Sequence, residues 1–91
     1  MEFEWDENKR LANISKHGVD FWDALEVFDD QNRIEKMDER LDYGELRFQI
    51  IGRMKNETIL FIVKTNRATK IRIISARPAN KKEITEYDKG V

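Results

Sequence analysis

Thr58 to Thr65, with Ile59, Leu60, Phe61, Ile62 and Val63 in an unbroken row, is the segment that most limits how this chain can fold. Successive side chains of a strand point to opposite faces, so a strand with one wet face alternates apolar and polar residues. Here both faces are apolar in the middle. The segment is expected to be a central strand, covered on both sides. It is also the longest apolar run, far short of the roughly 20 residues that cross a bilayer as a helix. The acidic opening Met1-Glu2-Phe3-Glu4-Trp5-Asp6 has no apolar stretch of the kind a signal peptide needs.

The flanking patterns supply the rest of a sheet. Ile34 to Met37 reads as a strand, Asp38 to Tyr43 as a polar loop, and Leu46, Phe48 and Ile50 as alternate positions of the next strand, which Gly52 bulges or ends. Lys55-Asn56-Glu57 is placed to turn a hairpin into the central strand. Asn66-Arg67-Ala68-Thr69 turns out of it, into a strand around Ile71–Ala76. At the other end, Phe3 and Trp5 alternate with Glu2 and Glu4 in a short first strand. Asp6 can cap a helix from Glu7 to Lys16, with Leu11 and Ile14 toward the core and Gly18 ending it. Asp20 can cap a second helix, whose stripe is Phe21, Ala24, Leu25 and Phe28. Asn80 with Glu83 resembles a capping box, and Ile84 and Tyr87 would dock the helix that follows. The order β-α-α-β-β-β-β-α predicts a single α+β domain over residues 1–91. It would be an antiparallel meander with helices covering one face. Nine aromatics and many aliphatics can bury surface and argue against a disordered chain. The absence of cysteine removes disulfides and thiol chemistry and suits a reducing cytoplasm.

Net charge is only −1, yet the charges are segregated. Residues 1–45 hold 6 Lys/Arg against 14 Asp/Glu, while residues 46–91 hold 11 against 4. From Lys64 to Lys82 there are seven cations and no acid. Such a stretch is either a footprint for an anion or the counterweight of the acidic half within the fold. With one histidine and no spaced ligand cluster, the chain offers no metal-site pattern.

Several segments together resemble the BrnT family of type II toxins. They are Phe3-Glu4-Trp5-Asp6, Lys16-His17-Gly18-Val19 with Phe21, Val27-Phe28-Asp29-Asp30, Gly44-Glu45-Leu46-Arg47 leading into Ile51-Gly52, and Arg72-Ile73-Ile74-Ser75-Ala76-Arg77 with Ala79, Glu83 and Tyr87. The resemblance implies a RelE-like fold and an endoribonuclease that blocks translation. It also implies a BrnA-like antitoxin that neutralises the toxin and carries a DNA-binding segment, so that the complex represses its own operon. Many relatives carry an acid before the turn arginine where this chain has Asn66, so no acid–base role is carried to that position. The alternative is a toxin-like domain with little nuclease activity, which binds antitoxin and serves autorepression.

A ribonuclease working without metal uses the 2′-hydroxyl of the RNA as nucleophile. It needs a base near that hydroxyl, an acid near the leaving 5′-oxygen and cations around the phosphate. Arg77 ends a strand beside Pro78 and the last helix, and is the first candidate for the phosphate. Otherwise it pairs with Glu83 or Glu86. Arg67 in the turn can be aimed at a site or left solvated. Glu45 at a strand start is the candidate base, or a partner for an arginine. Lys16 and His17, at the end of the first helix, could assist, or simply finish the helix beside Gly18. Arg72, Lys64, Lys70, Lys81 and His17 are the candidate RNA-binding residues. Strict alternation puts Arg72 and Arg77 on opposite faces unless a bulge intervenes. Trp5 and Tyr87 either stack on a base or sit in the core.

Overall fold

The computed structural model describes residues 1–90, which form one five-stranded sheet with helices on both faces. In chain order they are β1 (Glu2–Glu4), α1 (Glu7–His17), α2 (Phe21–Ala24), a 3₁₀ helix (Leu25–Asp29), β2 (Ile34–Met37), β3 (Arg47–Arg53), β4 (Ile59–Arg67), β5 (Lys70–Pro78) and α3 (Lys81–Lys89). The spatial order is β1-β5-β4-β3-β2. Strands β2 to β5 form the antiparallel meander expected from their short connections.

β1 departs from that expectation. It lies parallel to β5, with Glu2 opposite Lys70, Phe3 opposite Ile71 and Glu4 opposite Arg72, so the sheet is mixed. A parallel pair needs a long connection, and the whole chain between residues 4 and 70 supplies one. β5 is one of the two edge strands of the meander, and β1 covers its outer edge while β2 remains the other edge of the sheet.

β4 is central, and Leu60 to Thr65 are buried. Leu60 and Ile62 face a core shared with Ile50, Ile73, Ala76, Val19, Phe21, Ala24 and Val27. Phe61 and Val63 face a second core with Ile51 and Tyr87. The helices therefore cover both faces, with α1 and α2 on one side and α3 on the other, not the single face expected. The second helix is also shorter than its stripe suggested. Its buried residues Phe21, Ala24 and Val27 recur every three positions, which is the period of the 3₁₀ helix that takes over at Leu25.

Local signals set the helix ends. The Asp6 carboxylate accepts from the N–H groups of Asn8 (2.8 Å) and Lys9 (3.2 Å), a cap worth about 1 kcal/mol. Leu11, expected in the core, is 53% exposed, and Asn13 is buried instead. β1 ends opposite Arg72, so the outer edge of β5 beyond it has no strand partner. The Asn13 side chain fills that role. It donates to the carbonyls of Ala76 (2.7 Å) and Val19 (2.9 Å) and accepts from the Ala76 N–H (3.2 Å). Gly52 neither bulges nor ends β3. A Cβ there would lie 2.5 Å from Val27 Cγ1, so the residue permits the 3₁₀ helix to approach the sheet.

The register between β4 and β5 slips once. Val63 faces Ser75 while Lys64 faces Ile73, leaving Ile74 as an extra residue in β5. Thr65 lies opposite Arg72 and Phe61 opposite Arg77, and Phe61 and Thr65 share a face of the regular β4. The bulge therefore brings Arg72 and Arg77 to the same face, at positions about 13 Å apart along the strand.

Candidate active site

A groove of about 970 Å³ opens at the β4–β5 turn. Its cations, Arg67, Lys70 and Arg72, come from the end of that hairpin. Arg67 lies opposite Lys70 across a two-residue turn. Ala68, the first residue of the turn, has φ 54, a conformation that favours glycine. Two carboxylates flank the cations, Glu4 from the end of β1 and Glu45 from the entry to β3. Leu46 and Phe48 add an apolar patch, and Thr65 and Asn66 add polar groups. The Thr65 hydroxyl is tied to the carbonyl of Leu46 at 2.6 Å, which fixes the β3 entry against β4.

The charges in the groove are unevenly matched. Arg72 Nε lies 3.0 Å from Glu4 Oε2, and Arg47 Nε lies 3.1 Å from Glu45 Oε2. Among the described residues no carboxylate pairs with Arg67 or Lys70, and both side chains are exposed. The groove thus offers two uncommitted cations and a third held by Glu4, with a carboxylate on either side. Such a set can hold a phosphate and exchange a proton beside it.

The remaining sequence candidates stand elsewhere. Arg77 gives both arms of its guanidinium to Glu83, at 2.8 Å each, and lies 4.2 Å from the centre of the Phe61 ring. Glu83 also accepts from the Asn80 N–H in the capping box of α3. Burial raises the Glu83 carboxyl, but the Arg77 fork and the Asn80 N–H outweigh it and hold the group below the usual carboxylate range. Of the two roles open to Arg77, this geometry has the ion pair. Lys64 lies on the opposite face and is buried. Its ammonium meets Glu35 (3.0 Å) and Asn66 (3.0 Å) over the Phe48 ring. Lys16 and His17 end α1, which is anchored through Asn13 to Ala76, and neither lines the groove. Lys81 is exposed in the first turn of α3, also outside it. Trp5 packs edge-on against Phe21 and Trp22, and Tyr87 is buried, so both take their core alternative.

Two residues were missed by sequence reasoning. Glu4 reaches the groove only because β1 pairs with β5, a contact between residues far apart in the chain. Asp38 reads as part of a polar loop, yet its side chain is fully buried. It accepts from Nε and Nη2 of Arg40 (2.8 Å each) and from the Gln49 amide (3.0 Å). Above all the Arg40 fork holds its carboxyl far below the ordinary value, against the opposing effect of burial. An acid followed two residues later by arginine was the only local signal.

Residues 5–83 match the family described as the ribonuclease toxin, BrnT, of type II toxin–antitoxin systems. Among solved structures, the chain is similar to the Brucella abortus ribonuclease toxin, BrnT. The TM-score is 0.67 at 30% identity, over 89% of this chain and 99% of that one. No curated protein sequence matches.

Proposed function

Because the chain belongs to the BrnT family of ribonuclease toxins of type II toxin–antitoxin systems, we propose that it is an endoribonuclease that cleaves RNA through the 2′-hydroxyl without a metal, at the groove beside the β4–β5 turn. The observation that carries this reading is the meeting of Glu45 with Arg67, Lys70 and Arg72 in one open groove. Glu45 takes the proton from the 2′-hydroxyl, whose oxygen bonds to phosphorus as the P–O5′ bond breaks, giving a 2′,3′-cyclic phosphate. The leaving 5′-oxygen takes its proton from water in the open groove. Arg67 and Arg72 hold the charge that builds on the phosphate oxygens, where one donor contributes about 3–4 kcal/mol to the transition state. Lys70 draws in the flanking backbone. The phosphate role that the sequence offered to Arg77 passes to Arg67, which no acid occupies.

In the cell this activity would block translation in the cytoplasm. A BrnA-like antitoxin would neutralise it, and the complex, not the toxin alone, would bind operator DNA. The RelE-like relationship implied by the sequence resemblance belongs to the same reading. The test is cleavage of a short single-stranded RNA by the purified chain, with and without EDTA. Cleavage is expected to persist in EDTA and to fall about 100-fold or more in Glu45→Gln, the scale of a lost general base. Activity that EDTA abolishes and magnesium restores would overturn the reading.

A further inference from the structure

The segment between β2 and β3, residues 38–46, carries Glu45 into the groove, and it has no regular structure of its own. Loops are ordinarily the most mobile part of a small domain, whereas a general base must be held to within fractions of an ångström. Something must therefore fix this loop. Its neck is closed by one backbone bond, Asp38 N–H to the Arg47 carbonyl at 2.8 Å. Its interior is closed by the Asp38 side chain.

That carboxylate gathers the loop around itself. Arg40 supplies Nε, Nη2 and its backbone N–H (3.2 Å), Gln49 on β3 supplies its amide, and the Tyr43 hydroxyl lies 3.4 Å away. The Tyr43 ring in turn receives the Arg47 guanidinium, 4.0 Å from the ring centre. Arg47 then pairs with Glu45. The contacts run without a gap from a buried acid to the candidate base. On the other side Arg40 lies 5.4 Å from the centre of the Phe61 ring, which ties the loop to the central strand.

We infer that Asp38 is a positioning residue: through Tyr43 and Arg47 it sets the place of Glu45 in the groove. Asp38 touches no substrate. Its effect is on the fraction of time that Glu45 faces the 2′-hydroxyl, so it acts on turnover and leaves RNA binding to Arg67 and Lys70. The inference rests on the assignment of Glu45 as base, and the test separates the two.

The experiment measures kcat and KM on one RNA for Asp38→Asn, Tyr43→Leu, Glu45→Gln and the double variants with Glu45→Gln. Asp38→Asn and Tyr43→Leu are each expected to lower kcat about tenfold with KM within about twofold. In the Glu45→Gln background each is expected to have almost no further effect, because the residue they position is already gone. A purely structural role would lower the double variant by the same factor again, and that outcome overturns the inference while leaving Glu45 as base. Full activity in Glu45→Gln overturns both. If Asp38→Asn fails to fold, the Tyr43→Leu pair decides by the same criterion, because that change leaves no buried charge unpaired.

Discussion

The two ends of one sheet face use the same residue types to opposite purpose. At the α3 end Arg77, Arg40 and Lys36 are matched to Glu83, Asp38 and Glu86. At the turn end Arg67 and Lys70 have no such partner among the described residues, and Glu4 takes only Arg72. The helix and loop at the α3 end bring carboxylates that close on Arg77, Arg40 and Lys36, so these three cations support the fold. The two-residue turn brings none, so its cations stay available to a ligand. The basic stretch of the sequence thus divides by partner: Lys64, Arg72 and Arg77 are held by acids, whereas Arg67 and Lys70 at the turn, and Lys81 and Lys82 in the first turn of α3, have none among the described residues.

The strongest way to break this comparison is Arg67→Ala, which is expected to slow RNA cleavage about 100- to 1000-fold, or about 3–4 kcal/mol, while leaving the unfolding midpoint in urea unchanged. A normal rate would place the chemistry elsewhere.

Next in size is Asp38→Asn, expected to lower stability by about 2 kcal/mol at pH 7, since it weakens hydrogen bonds to a buried charge. The Asp38 carboxyl lies below its unfolded value. Its contribution is therefore fully present above about pH 4 and is lost as pH falls through the folded value. Urea titrations from pH 7 to 2 should show the wild type converging on the variant at the acid end. Parallel curves would contradict the assignment.

Arg77→Ala is expected to cost about 1–2 kcal/mol of stability by leaving Glu83 unpaired, with the cleavage rate of the folded fraction within about threefold of wild type. Lys70→Ala should change affinity modestly. Its mark is the salt dependence of binding to single-stranded RNA, whose logarithmic slope should shrink by about 0.7 for one lost phosphate contact. The smallest effect belongs to Ala68→Gly, which relieves a positive φ in the turn and should raise stability by about 0.5 kcal/mol, read as a small rise in melting temperature.

Much of the fold could be read from local pattern. The double-sided apolar run identified β4 as central. Asp6, Gly18, Asp20 and the Asn80–Glu83 box marked helix ends that the backbone then adopts. What escaped was non-local. Which of the two edges of the meander β1 joins is written in no local pattern. The bulge at Ile74 depends on how β5 fits two cores at once. Asn13 entered the core because it satisfies a strand edge, a need that a hydrophobic stripe cannot express. The site divides along the same line. Glu45, Arg67, Lys70 and Arg72 were candidates from residue type and sit together in the groove, whereas Glu4 needed the parallel pairing. Whether a cation is free depends on which acids the tertiary fold brings to it, and for Arg77 and Lys64 those acids are Glu83 and Glu35.

The most direct test of the account is to watch where RNA lands. A short single-stranded RNA with 2′-O-methyl groups binds but cannot be cleaved through the 2′-oxygen, so it can be titrated into isotope-labelled protein and followed by NMR. The amide shifts are expected to gather at residues 45–48 and 65–72, with the Arg67 and Arg72 guanidinium signals moving alongside them. Shifts gathered instead at Arg77 and the first turn of α3, with the β4–β5 turn silent, would contradict it.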